Sequence, residues 1–237
     1  DGQITGAGGS IWLTTGYLTG SGSITANGGL GTGSWGGGGG RVAVVLMSPA
    51  ADFSGFAGMI AAYGAAGSGP GGAGTVYLRT PGQAVNEGTL IVDNNGVSSP
   101  VGALLTPQVT DTSVRDVLMR RAGLLALDPG QSLTVSGIWS NGANFSATSG
   151  AAIVFAGSGV STSTVFGNTT FWGLTCTTPG KTIQFAADST NTVVDALNLA
   201  GAAGTNVALR SSSDGAAWKL NVTASAVQAI TRVDVKD

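Results

Sequence analysis

Gly28-Gly29-Leu30-Gly31-Thr32-Gly33-Ser34-Trp35 runs into an unbroken glycine stretch, Gly36 to Gly40, and then into Arg41-Val42-Ala43-Val44-Val45-Leu46-Met47. Glycine has no Cβ and loses the most backbone freedom on ordering, whereas β-branched residues pack well on a pleated sheet. The stretch therefore reads as a loop that delivers the chain into a buried strand. The same order of loop and strand recurs on either side of it, and that recurrence decides the fold class.

Laid against itself, the first part of the chain contains three copies of one unit. The first strand of each copy is Gly9-Ser10-Ile11-Trp12-Leu13, Gly40-Arg41-Val42-Ala43-Val44 and Gly74-Thr75-Val76-Tyr77-Leu78. The second is Gly22-Ser23-Ile24-Thr25-Ala26-Asn27-Gly28, Gly58-Met59-Ile60-Ala61-Ala62-Tyr63-Gly64 and Gly88-Thr89-Leu90-Ile91-Val92-Asp93. Spacings between copies vary while the order holds, which puts the insertions in loops. Successive side chains on a strand face opposite ways. Ile11, Leu13, Val42, Val44, Val76 and Leu78 thus form one inward ladder, with Ile24, Ala26, Ile60, Ala62, Leu90 and Val92 as another, and Trp12 and Tyr77 face out. A unit this short cannot bury its own apolar face, so the copies must stack, each strand beside its counterpart.

Beyond Val101 the glycines thin out. Val114, Val117, Leu118, Arg121 and Leu125, after Ser113-Val114-Arg115-Asp116, fit a helix from about Val114 to Arg121 or a strand. A strand is preferred, because Leu124-Leu125-Ala126-Leu127, the turn Asp128-Pro129-Gly130 and Ser132-Leu133-Thr134-Val135 follow in strand-turn-strand order. Short alternating runs continue through Ala152–Phe155, Thr170–Leu174, Thr182–Phe185, Ala196–Leu199, Asn206–Leu209, Trp218–Val222 and Thr231–Val235. Near the end, Lys219, Asn221, Arg232, Asp234 and Lys236 alternate with Trp218, Leu220, Val222, Val233 and Val235, an outside/inside pattern. The expected fold is all-β, a right-handed parallel β-helix (β-solenoid), with handedness following the general preference of parallel crossovers. It is expected as one continuous segment over residues 1-237, with three Gly-rich degenerate repeats over 1-100 and less regular coils over 101-237. Roughly eight coils stacked about 4.8 Å apart make a rod on the order of 40 Å tall. Both termini read as interrupted repeats: Asp1 to Gly6 as the end of an earlier second strand, and Thr231 to Asp237 as a strand with no closing turn. An internal piece of a longer rod, tending to associate end to end, is therefore expected.

Composition removes several function classes. Of the 237 residues 9% are charged and 41 are glycine, against about 25% charged and about 7% glycine in ordinary soluble domains, so the polar surface must come from hydroxyls and amides. The formal charge is −2 and the basic residues are scattered apart from Arg120-Arg121, which leaves no stripe to track phosphates; no nucleic acid is expected as a partner. Apolar runs such as Val42 to Met47 are too short for a membrane span. The absence of histidine removes Ser-His-Asp and Cys-His catalysis and nearly all zinc sites. The lone cysteine, Cys176, shares the parity of Leu174 and is expected to be buried and unreactive.

Gly-Gly-Ser-Ile-Trp-Leu-Thr from Gly8, Gly-Ser-Ile-Thr-Ala-Asn-Gly-Gly from Gly22, the oligoglycine run closed by Arg41-Val42-Ala43-Val44, and Ala73-Gly74-Thr75-Val76-Tyr77-Leu78 resemble the glycine-rich β-helix repeats of large secreted bacterial surface proteins. Asn206 to Ser212, Trp218 to Val222 and Val233 to Asp237 are similar to repeats of the same kind of protein. The resemblance implies a structural or adhesive segment, located extracellularly or at the cell surface, with no cofactor. Its expected partners are neighbouring repeats or copies of itself, and surface glycans. The alternative is a β-helix that binds or cleaves polysaccharide.

No residue is assigned a catalytic, cofactor-binding or metal role. Carbohydrate-cleaving sites need clustered carboxylates. Stacking can bring Asp111 to Asp116, or Asp188 to Asp195, or enlist Asp93, but solvated or turn-forming aspartates are the expectation. Asp93-Asn94-Asn95-Gly96 lacks the later ligands of a calcium loop and reads as a turn. The oligoglycine run lacks the Gly-Lys-Ser/Thr of a phosphate cradle and reads as a spacer. Thr162 with Thr164 and Thr175 with Thr177 do not recur coil after coil as an ice-binding array would. Asn144, Asn168 and Asn221 open glycosylation sequons that chance alone accounts for. Trp12, Tyr77 and Trp35 are outward aromatics suited to covering loops, to meeting a neighbouring chain or to stacking on sugar rings.

Overall fold

The computed structural model describes residues 5–31, 35–142, 144–157 and 159–237. Among them are 22 strands and no helix, arranged in mostly parallel sheets. The chain forms two compact units: Asp1–Ala103 with Leu118–Leu125, and Leu104–Val117 with Ala126–Asp237. The reading of Asp1 to Gly6 as an earlier strand falls mostly outside the described residues, as does the Thr32-Gly33-Ser34 part of the glycine stretch.

In the first unit, β1 (Ser10–Thr15), β3 (Arg41–Leu46) and β5 (Thr75–Arg79) lie parallel and side by side, while β2 (Ser23–Thr25) pairs with β4 (Met59–Ala61). The register is the one the repeat dictates: Ile11 beside Val42 beside Val76, Leu13 beside Val44 beside Leu78, and Ile24 beside Ile60. Ala26, Val42, Val44, Leu46, Ala51, Ala62 and Val76 form the core of this unit, with Ile11, Leu13, Ile24, Ile60, Leu78 and Ile91 packed against it. Each large aliphatic side chain fully buried in such a ladder contributes about 1.5–3 kcal/mol.

The third copy departs from the pattern. β6 (Thr89–Asp93) does not join the β2-β4 column; it turns back antiparallel to β5, with Val76 opposite Ile91 and Tyr77 opposite Leu90. Two successive turns reverse the chain, closed by the Gln83 N–H to Thr80 C=O and by the Glu87 N–H to Ala84 C=O, with Asn86 at φ 65°. A short turn suffices to join antiparallel strands, whereas parallel ones need a crossover. As a result Ile91, not Leu90, packs on the core.

The glycine stretch is not a spacer. Gly36 to Gly40 lies among segments on several sides: Gly36 and Gly39 donate to the carbonyls of Gly69 and Gly72, Gly37 to Gly29 and Gly40 to Ala26, while Gly8, Ala65 and Thr75 donate back to Gly38, Gly37 and Gly40. None of these five glycines has a positive φ. What they supply is proximity: a Cβ on Gly37, Gly39 or Gly40 would overlap the carbonyl oxygen of Gly6, Ala62 or Gly9. Backbone packs directly on backbone here, and hydrogen bonds replace side-chain contacts.

After β7 (Ala103–Leu105), the residues read as helix or strand are β8 (Ser113–Val114) and β9 (Asp116–Arg120), followed by β10 (Leu124–Leu127). The second unit continues through β11 (Ser132–Val135), β12 (Ile138–Asn141), β13 (Asn144–Ala147), β14 (Ala152–Phe155), β15 (Thr162–Phe166), β16 (Thr170–Cys176), β17 (Thr182–Phe185), β18 (Thr190–Ala200), β19 (Val207–Ser211), β20 (Lys219–Val222), β21 (Val227–Thr231) and β22 (Val233–Lys236). Its walls are two parallel sheets, β8-β11-β14-β16-β18-β20, with β21 also on β18, and β12-β15-β17-β19-β22. Buried columns run through both: Leu133, Ile153, Leu174 and Leu197 in one, and Trp139, Val165 and Phe185 in the other. Phe145, Phe155, Phe171 and Trp139 meet as an aromatic cluster, with edge-to-face contacts of Phe145 on Trp139 and of Phe155 on Phe171.

Candidate functional site

The most organised charged group lies in the first unit, where β6 ends at Asp93. Its carboxylate is 6% exposed. Oδ2 accepts from Arg120 Nε at 2.8 Å and from Arg121 Nη2 at 2.7 Å, and Oδ1 accepts the Asn95 N–H at 2.9 Å. Burial alone would raise the Asp93 pKa, but the hydrogen bonds from Arg121, the Asn95 amide, the Arg121 charge and the Arg120 bond outweigh it and hold the carboxyl below its ordinary value. Arg121 is held above its own ordinary value, chiefly by its bond to Asp93. It also donates to the Tyr63 hydroxyl at 2.7 Å and to Asn95 Oδ1, and its guanidinium lies 5.5 Å from the centre of the Tyr63 ring.

Asn94, fully buried, extends this arrangement into the glycine bundle. Its Oδ1 accepts the Gly64 N–H, and its Nδ2 donates to the carbonyls of Gly71 and Val97. Asn27 acts similarly, accepting the Tyr63 N–H at 2.8 Å. Arg121 and Ala122 both have left-handed backbones, φ 45° and 62°, and the Arg121 carbonyl accepts from Asn94 and Gly96. Asp93 is therefore a turn residue, as its sequence context indicates, but a buried and ion-paired one. With its oxygens taken by two arginines and the Asn95 amide, the Asp93 carboxylate ties the end of β6 to the segment at Arg120 and Arg121.

The other candidate aspartates gather into no cluster among the described residues. Asp116 accepts the Ile138 N–H at 2.7 Å and lies 3.8 Å from Arg115, while Asp111, Asp188 and Asp195 are exposed. Among the described residues no three His, Cys, Asp or Glu side chains gather. Thr162 and Thr164 sit beside Thr182 and Gln184, and Thr175 beside Val154 and Asn198. Asn144 and Asn221 are exposed; Asn168 is exposed too, and its Oδ1 accepts the Thr190 N–H at 2.8 Å. Cys176 is buried, as its parity implies, and burial pushes its thiol pKa up against the opposing effects of the Thr178 amide and Lys181. Lys181, 1% exposed, places its ammonium on the carbonyls of Ser136 and Val160 at 2.7 and 2.6 Å. Nothing in the sequence around Lys181 distinguishes it from a surface lysine.

Of the outward aromatics, Trp12 is 75% exposed and Trp35 64%, while Tyr77 is half-buried against Gly88, whose N–H its hydroxyl accepts at 3.1 Å. Compared with protein-family models, curated proteins and solved structures, the chain matches none.

Proposed function

We propose that the chain is a structural or adhesive segment of a large secreted or cell-surface repeat protein, in which the coils of a right-handed parallel β-helix stack into a stiff rod that displays its outer faces. The observation that carries this reading is the alignment of equivalent apolar residues from successive coils, Ile11, Val42 and Val76 in one unit and Leu133, Ile153, Leu174 and Leu197 in the other. A fold assembled by adding like coils extends without limit, and such folds serve as spacers and scaffolds. The buried columns also support a neighbour at the far end. Leu199 is continued by Ile230 and Leu209 by Val235, yet Ile230 and Val235 are 47% and 60% exposed. A further coil, from an adjoining repeat or a second copy, covers them in the proposed arrangement and satisfies the open strand edges of β21 and β22.

Small-angle scattering over a concentration series tests this. Elongated particles that lengthen in multiples of one chain are expected; a compact, concentration-independent monomer would contradict the reading. The proposal includes no catalytic step, so release of new chain ends from acidic or neutral polysaccharides, with or without calcium, would overturn it in favour of a β-helix hydrolase or lyase.

A further inference from the structure

Strands β1, β3 and β5 present three outward rows: Ser10-Arg41-Thr75, Trp12-Ala43-Tyr77 and Thr14-Val45-Arg79. No carboxylate lies in them. Val45 is covered, so the open part of the face is the middle row and the row of Arg41, with the half-buried Arg79 at its margin. Both aromatic rings are held in place: Trp12 Nε1 donates to Thr14 Oγ1 at 3.1 Å, and Tyr77 is tied through its hydroxyl to Gly88. Their Cα positions are two strand spacings apart, about 10 Å, with Ala43 between them, and the Tyr77 ring lies over Gly88. The middle row therefore carries an aromatic side chain on either side of a small one. Arg115, Arg120, Arg121 and Arg210 each meet an aspartate, but Arg41 and Arg79 enter no salt bridge among the described residues.

We infer that this face binds an extended uronate-bearing polysaccharide, with sugar rings on Trp12 and Tyr77 across Ala43 and a carboxylate on the Arg41 fork. Sugar rings have apolar faces that stack on aromatic side chains, and a guanidinium pairs with a carboxylate through two parallel hydrogen bonds. Two cations across three strands suit a polymer with an occasional charge. A phosphodiester chain or an anionic membrane would require a basic stripe, which this chain lacks. The inference rests on the display half of the proposed function, and the rod can be correct where the face is not.

The test uses the full chain in titration calorimetry against polygalacturonate, its methyl ester, inorganic polyphosphate and phosphatidylglycerol vesicles. Polygalacturonate should bind, more weakly as salt rises, and the uncharged ester should bind less well. Trp12→Ala and Arg41→Gln, both at exposed positions, should each weaken binding about tenfold, equivalent to roughly 1.4 kcal/mol, with unchanged circular dichroism and melting, while Lys219→Gln should bind as wild type. The inference is overturned by absence of polygalacturonate binding, by wild-type affinity in either face variant, by a comparable loss in Lys219→Gln, or by polyphosphate or vesicles binding as tightly as polygalacturonate. Scattering on the same samples reports stacking independently, which separates failure of the face from failure of the rod.

Discussion

Replacing Gly40 by alanine tests whether glycine here serves proximity or flexibility. The new methyl would overlap the carbonyl oxygen of Gly9 and crowd the backbone of Gly8, far inside the 3.0 Å that real Cβ atoms keep, and neither neighbour has a side chain that can swing aside. The backbones must separate instead. That strains the Gly40 N–H bond to Ala26 (2.7 Å) and the neighbouring Arg41 N–H bond to Gly9 (2.9 Å). Overpacking costs about 1–3 kcal/mol and each weakened hydrogen bond about 0.5–1.5 kcal/mol, against a gain of about 0.4–1 kcal/mol from the stiffer unfolded chain. The net expectation is a loss of about 3 kcal/mol, or roughly 6–12 °C in melting temperature for a chain of this size. Gly82→Ala is the control, since a Cβ there meets nothing within 4 Å and its φ is not positive; it should be neutral or slightly stabilising. Thermal and urea unfolding of the two variants decide the matter, and equal melting temperatures would refute the proximity argument.

Asp93→Asn should destabilise by about 2 kcal/mol, less than for a wholly buried pair because both arginines are about half exposed. The native Asp93 pKa lies below its ordinary 3.8, so the unfolded chain takes up the proton first; the contribution is complete above that value and is lost as pH falls through the depressed native one. The difference in urea midpoint between wild type and Asp93→Asn should therefore shrink as pH is lowered from 6 towards 2.5. Val44→Asp, placing an unpaired charge at a fully buried position, should cost more than about 4 kcal/mol, and Thr25→Asp less than about 1, as read by denaturant melts. Cys176 should resist a thiol reagent in buffer and react at once in concentrated urea, with labelling followed by mass spectrometry.

The ladders were legible because their information is local. Alternation assigns the faces of Ile11, Val42 and Val76, and the fixed order of copies aligns them, so pairing in the first unit follows from the sequence alone. The reversal at residues 80–88 was not, because Gly88-Thr89-Leu90-Ile91-Val92 has the same pattern as the strands that join the second column; its direction depends on how Gln83 and Glu87 close their turns. The glycine stretch was misread for a related reason. A glycine required by a turn and one required by an approaching backbone are identical in one dimension, and only the neighbours of Gly36 to Gly40 tell them apart. Asp93 was recognisable as a turn residue, but its arginine partners lie 27 and 28 positions away, and only the adjacency of Arg120 and Arg121, the one such basic pair, marked them. Asn27 and Asn94 look like turn formers too, yet they bridge segments 36 and 30 residues apart.

Oxidative cross-linking of cysteine pairs tests the parallel, in-register stacking of the glycine-rich copies most directly. Ser10 and Arg41, and Arg41 and Thr75, are register partners facing outward on adjacent strands, so their Cα atoms lie about 4.8 Å apart, within reach of a disulfide. Ser10 and Ala43 are a diagonal pair at about 8 Å, beyond that reach. With Cys176 buried, mild oxidation followed by peptide mass spectrometry should find intramolecular disulfides in Ser10→Cys/Arg41→Cys and Arg41→Cys/Thr75→Cys and none in Ser10→Cys/Ala43→Cys. Failure of both in-register pairs, or equal cross-linking of the diagonal pair, would contradict the stacking on which the fold and the proposed rod both depend.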